Sequence, residues 1–435
     1  MIQINDNIKQ KILYPPQIIT LLNNKKTKLI YADFIATGKI SPLIEKYLYK
    51  YIYPYYASTH SNSFCSLYMN KMLENTKCYI KKAYNLKENH KIIFTGQGAT
   101  GAINHLVNII NYNNFNEVNI ILSTYEHHSN YLPWFEKSKK YTNIKLYIIP
   151  LKNGIIDYDY YQQIINNLTT NLDNNLIITS VTACSNVSGI KTDLYRLKNI
   201  FKNKSLLFID YACLSPYTKI DGSIANALFI SPHKYIGGYS TPGILIADKQ
   251  LFMQSCPYAP GGGCVNKANE EIIEYNNDPE IKETAGTPNI IGIIKIKLIL
   301  ALQDMLYDTI IKNEDFIVKY VHDKLKIIQN KYPNLIILYL GLYLNIRLPI
   351  ICIYIKELYH NKIVKILSDY YGIQTRGGIA CSGIFANYIW KTMKIPGWCR
   401  ISFHWSMTLQ EIDYILYSIE DILSNLKYYL NIYNE

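Results

Sequence analysis

Between residues 90 and 250, short and nearly unbroken apolar runs alternate with polar stretches of helical or loop character. That alternation predicts a largely parallel sheet joined by crossover helices. Residues 91–94, 118–122, 145–149, 176–179, 206–209 and 227–230 read as strands, and 102–107 as the helix after the first of them. Beyond Asn289 the pattern changes to a long helical stretch from Ile290 past Met305, then strands, then a helix over about 408–426. The run 335–355 is apolar enough to raise a membrane span. Asn345, Arg347 and Pro349 interrupt it, so two neighbouring core strands are expected instead. The chain therefore reads as α/β, with an N-terminal segment (1–30), a large mostly parallel-sheet domain (31–290) and a smaller α+β C-terminal domain (291–435).

Length and composition agree with a folded, multi-domain chain. It has 435 residues, 49% of them hydrophobic and 18% charged, which separates it from disordered sequences. The formal net charge is +12. Its lysines are scattered, without a run of five basic residues, so no nucleic-acid partner is expected. Nine cysteines without a C-x-x-C pair, and a start lacking the basic-then-apolar pattern of a secretory leader, point to a reducing, cytoplasmic setting and no membrane. No metal site is expected, because His127 and His128 are sequence neighbours without an evident third ligand.

Open α/β sheets bind ligands at the carboxyl ends of their strands, and there the polar residues collect. Thr95-Gly96-Gln97-Gly98-Ala99-Thr100-Gly101 joins a strand to a helix and can present backbone N–H groups to a phosphate. Tyr125-Glu126-His127-His128-Ser129-Asn130 follows another strand, Cys184-Ser185-Asn186 a third, and Asp210 a fourth. A carboxylate directly after an apolar strand is costly to desolvate without a cationic partner. Ser231-Pro232-His233-Lys234, after a strand and before a glycine-rich loop, suits a lysine forming a Schiff base to a phosphorylated aldehyde cofactor.

Taken in order, these segments resemble the class V aminotransferase group of fold-type I pyridoxal-phosphate enzymes, nearest its cysteine desulfurase and selenocysteine lyase branch, from about Tyr31 to the C-terminal helix. The resemblance implies pyridoxal 5'-phosphate on Lys234, with its phosphate held by Ala99, Thr100, Ser231 and His233. It implies His127 stacked on the ring, Asp210 on the ring nitrogen and Asn186 on the phenolic oxygen. Thr287, in Glu283-Thr284-Ala285-Gly286-Thr287-Pro288-Asn289, would reach the phosphate of a neighbouring subunit, which implies a homodimer.

In Arg376-Gly377-Gly378-Ile379-Ala380-Cys381 a cysteine stands five residues after an arginine. In the desulfurase branch that arginine binds the substrate carboxylate and the cysteine attacks the substrate sulfur; Arg400 resembles a second carboxylate ligand. The implied activity converts L-cysteine to L-alanine, with sulfur left on Cys381 as a persulfide for an acceptor protein. The chain departs from the family at Cys213, where a glutamine is common, and at Ile379-Ala380, where a histidine pair is common. The second departure keeps open slow desulfuration, dependence on an acceptor, or another class V reaction on an amino acid: aminotransfer, selenocysteine cleavage or C–S lysis.

Overall fold

The central apolar runs, 118–122, 176–179, 206–209 and 227–230, become strands buried on both faces, as in a sheet covered by helices on either side, while the edge run 145–149 is only partly buried. The computed structural model describes residues 6–169, 174–201 and 205–433, and the chain divides into two compact units.

The first unit comprises residues 38–183 and 192–305. Its centre is a seven-stranded sheet of β1 (His90–Thr95), β2 (Glu117–Ser123), β3 (Ile144–Ile149), β4 (Asn175–Thr182), β5 (Leu206–Asp210), β6 (Ala227–Ile230) and β7 (Gly243–Asp248), in the order β1-β7-β6-β5-β4-β2-β3. Neighbours from β6 through β3 pair in parallel. β7 runs antiparallel to both its neighbours, with Ile230 opposite Ile244 and Gly243 opposite Thr95. Its direction follows from its connection: the chain returns from β6 through the 231–242 loop without a crossover helix. Helix α1 (Gly98–Ile109) packs Ala99, Ala102, Ile103, Leu106 and Val107 into a core shared with Phe208, Phe229 and Leu245. It starts four residues before the expected 102, taking in the glycine-rich turn. α2 (His128–Lys140) follows β2.

The second unit comprises residues 1–37, 184–191 and 306–435. Residues 31–37 and 184–191 thus group with the C-terminal part of the chain. A four-stranded antiparallel sheet of β8 (Leu335–Ile337), β9 (Ile350–Ile355), β10 (Arg376–Gly378) and β11 (Trp398–Ser402) has the order β8-β9-β11-β10. Leu335 lies opposite Ile355, so the apolar 335–355 run is a strand pair, and among the described residues no helix is long and apolar enough to cross a membrane. The sheet packs against Ile317, Val321, Leu325 and Ile328 of the long helix Ile290–Lys331 and against the helix Leu409–Ser424, which Thr408 and Glu411 start with a reciprocal capping box. Between β9 and β11 lie α3 (His360–Tyr371) and α4 (Gly383–Met393). Ile30–Tyr31 pairs in parallel with Ile373–Gln374, and Ser402 N–H donates to the Ala32 carbonyl at 2.8 Å, which brings Asp33 beside β11.

Candidate active site

In the first unit the polar residues gather at the carboxyl ends of the strands. Ser231, buried after β6, accepts the Ala99 N–H on its Oγ at 2.8 Å. The approach requires glycine at 98, whose φ is +58° and where a Cβ would stand 2.9 Å from Ser231 Oγ. Ala99 and Thr100 lie in the first turn of α1, where unpaired N–H groups and the helix dipole favour an anion. Pro232–Lys234 forms a single 3-10 turn, with Lys234 N–H donating to the Ser231 carbonyl at 3.1 Å. Gly238 lets the following loop fold back on this turn, since a Cβ there would lie 1.9 Å from the Pro232 carbonyl oxygen.

Asp210 ends β5 with 3% exposure, and one carboxylate oxygen accepts the Ala212 N–H at 2.9 Å. Burial pushes its carboxyl above the usual range, while the Ala212 N–H and the charge of Lys234 pull it down. His233 is held down to about 4 by burial and by Lys234, so its ring is neutral. His127 caps α2: its Nδ1 accepts the Ser129 N–H at 3.1 Å, which leaves the ring proton on Nε2. Ser129 Oγ lies 3.0 Å from His127 Nδ1 and 2.7 Å from Thr100 Oγ1, joining the two.

Beneath His127, Glu126 is wholly buried. It accepts hydrogen bonds from Ser123 Oγ, from Asn130 Nδ2 at 2.6 Å and from Thr182 N–H at 3.0 Å. Burial nonetheless pushes its carboxyl up to about 8. Neither Ser129 nor Glu126 was singled out by the sequence reading; the signal was present in the serine two residues after a helix-capping histidine. Thr287 is exposed on the loop before the helix Ile290–Lys331. Its neighbours Thr284, Ala285 and Pro288 line, with Thr95, Gly96 and Gln97, a cavity of about 660 Å³.

The residues present fit a phosphorylated pyridine aldehyde. An anion cradle that a Cβ at 98 would invade, a buried carboxylate suited to a ring cation and a lysine whose charge is felt at that carboxylate belong to one cluster.

The second unit carries the other predicted residues. Arg376 Nη2 donates to Cys381 Sγ at 3.5 Å. Asn186 Nδ2 donates to the Ala380 carbonyl at 2.8 Å, and Asn186 Oδ1 accepts from Ser382 Oγ at 2.8 Å. Arg400, 2% exposed, gives Nη2 to Asp33 Oδ1 at 2.7 Å and Nη1 to the Asn186 carbonyl at 3.2 Å, while its Nε has no partner among the described residues. The guanidinium expected to take a substrate carboxylate is therefore already paired with an internal one. Cys213 is buried.

A mixed sheet ending in a lysine turn, an anion cradle and a buried aspartate defines a pyridoxal-phosphate enzyme of the class V type. Residues 30–415 match the family model described as aminotransferase class-V, and the chain belongs to that family. It is 27% identical over 440 residues to a probable cysteine desulfurase of Borreliella burgdorferi, covering 98% of this chain and 99% of that protein. It is 32% identical over 358 residues to a cysteine desulfurase of Wigglesworthia glossinidia brevipalpis, covering 80% and 81%. Its fold is similar to the apo structure of a cysteine desulfurase from Thermococcus onnurineus NA1, with a TM-score of 0.81 at 21% identity over 98% of this chain and 99% of that one.

Proposed function

We propose that the protein is a cysteine desulfurase that converts L-cysteine to L-alanine and leaves the sulfur on Cys381. The observation that favours this over other class V reactions is the Arg376 guanidinium 3.5 Å from the Cys381 sulfur, which sets a sulfur nucleophile beside a planar donor suited to a substrate carboxylate.

Held on Lys234 through its aldehyde carbon, pyridoxal phosphate would offer that carbon to the substrate amine and would supply a protonated ring that draws electrons from the α-carbon. Ser231, Thr100, His233 and the Ala99 N–H are assigned to its phosphate, with Thr287 serving a partner subunit, and His127 to the ring face. Asp210 holds the ring-nitrogen proton, and Asn186, whose Nδ2 has a second hydrogen besides the one given to Ala380, serves the phenolic oxygen. Lys234 takes the α proton. Cys381 Sγ attacks the substrate sulfur: an S–S bond forms and the C–S bond breaks, its electron pair staying on the β-carbon, and alanine is completed by a proton at the β-carbon and by return of a proton from Lys234 to the α-carbon. Arg376 and Arg400 are assigned to the substrate carboxylate, Arg400 requiring a rearrangement of its Asp33 pair.

The test is alanine and sulfide formation from cysteine plus reductant. Cys381→Ala should abolish it with cofactor absorbance intact; a Cys381→Ala enzyme turning over normally would move the assignment to another class V reaction, such as aminotransfer or lysis. A homodimer is part of the proposal, supported by the exposed aromatic side chains of Tyr47, Tyr49, Tyr53, Tyr55 and Phe64. Analytical ultracentrifugation giving only monomer would refute it. An acceptor protein for the persulfide and a cytoplasmic setting complete the reading.

A further inference from the structure

Cys381 sits in a backbone conformation that side chains bearing a Cβ seldom adopt. Ala380 (φ 52°) and Cys381 (φ 56°) are both left-handed, and neither is glycine. Consecutive residues persist in this region only when their surroundings hold them there.

What holds them is one carboxamide. Asn186 donates Nδ2 to the Ala380 carbonyl and accepts Ser382 Oγ on Oδ1, each at 2.8 Å, so its side chain grips the residues on either side of Cys381. A backbone carbonyl can only accept, which fixes which end of the amide faces Ala380. Asn186 is itself anchored: Arg400 donates to its carbonyl, and Ser185 Oγ beside it accepts the N–H groups of Val187 and Ser188 at 3.3 and 3.1 Å. Ser382 is fully buried at the N-cap of α4, yet its side chain makes no capping bond there and is directed to Asn186 instead.

We propose that Asn186 and Ser382 form a clamp that positions the Cys381 thiol, keeping the left-handed turn closed and the sulfur against Arg376. Ser382 is thereby a positioning residue for sulfur transfer. The inference rests on Cys381 being the nucleophile. With the clamp open, residues 380 and 381 relax toward ordinary φ values, and the sulfur leaves both the guanidinium and its attack geometry, on which transfer rates depend steeply.

The clamp is tested in the holoenzyme with Ser382→Ala, which deletes the hydroxyl and leaves Asn186 in place. The kcat for alanine formation should fall about tenfold, equivalent to ~1.4 kcal/mol, with KM for cysteine and cofactor absorbance unchanged. Iodoacetamide labelling of Cys381, followed on its own tryptic peptide, should slow by a similar factor. Ser382→Thr keeps the hydroxyl and should restore both. Adding Ala380→Gly to Ser382→Ala should recover part of the loss, because glycine takes the left-handed region freely. Unchanged kcat and labelling in Ser382→Ala, or a rise in KM alone, would overturn the clamp. Failure of the nucleophile assignment reads separately, as alanine production by Cys381→Ala, while the labelling rate still reports on the turn.

Discussion

Arg400 Nη2 and Asp33 Oδ1 meet at 2.7 Å although 367 residues separate them in sequence. The arginine side chain is 2% exposed and the aspartate 16%. Removing one partner of such a pair leaves a buried charge uncompensated. Asp33→Ala should therefore destabilise the protein by about 3 kcal/mol or more. Asp33→Ala combined with Arg400→Met should lie closer to wild type. Urea unfolding of the three proteins measures this, and a single variant no weaker than the double would show that the pair contributes nothing.

Asp210→Asn keeps the shape of the side chain and removes the charge that a ring cation needs. Turnover should drop by on the order of 10²–10³, with the cofactor still bound. Lys234→Ala should lose the cofactor's characteristic absorbance altogether. Titration with pyridoxal phosphate, read by spectrum and by turnover, distinguishes the two. A fully active Asp210→Asn would remove Asp210 from the chemistry.

Glu126 gives stability a pH dependence of definite sign. Its native carboxyl is held up to about 8, against about 4.3 for an unfolded chain. Between those values the native state keeps a proton that the unfolded state has lost, so this contribution is full below about 4.3 and declines as pH rises through 8. The slope for the one group is ~1.4 kcal/mol per pH unit. His233, held down to about 4, acts oppositely: its contribution is lost as pH falls from about 6.5 through that value. From pH 6.5 to 8 the decline comes from Glu126 together with Glu314, whose carboxyl burial likewise pushes up to about 8, so the Glu126 share is read from its own variant. There the melting temperature should fall with pH in wild type and stay flatter in Glu126→Gln; parallel profiles would clear Glu126.

Gly98→Ala places a Cβ 2.9 Å from Ser231 Oγ at a φ of +58°. The left-handed conformation alone should cost about 1–2 kcal/mol, and the displaced serine should loosen the anion cradle. Dialysis should strip cofactor from this variant faster than from wild type. Equal retention would mean that Ser231 holds nothing.

The central strands were legible because burial on both faces writes them as unbroken apolar runs, and the lysine turn and Asp210 were legible because each directly follows such a run. β7 was not among the expected strands: Gly243–Asp248 is as apolar as its neighbours but follows a glycine-rich loop, and the missing crossover helix makes it antiparallel. Contacts between distant segments left no local trace. Ile30–Tyr31 finds Ile373–Gln374, and Asn186 finds Ser382 196 residues away. Periodicity carries no information about such partners, which is why Asp33 and Ser382 escaped the sequence reading while Arg376 and Cys381, five residues apart, did not.

The antiparallel β7 also constrains when this protein can become competent. β1 is an edge strand whose sheet partner is β7, and the cradle joins Ala99, just after β1, to Ser231, just before β7. During synthesis nearly 150 residues must follow β1 before the ladder that fixes it can close. Long-range pairing of this kind is slow because chain entropy is lost before contacts compensate for it. Until residue 248 has been made, β1 lacks its ladder partner, and the Ala99–Ser231 contact of the anion cradle lacks the pairing that flanks it.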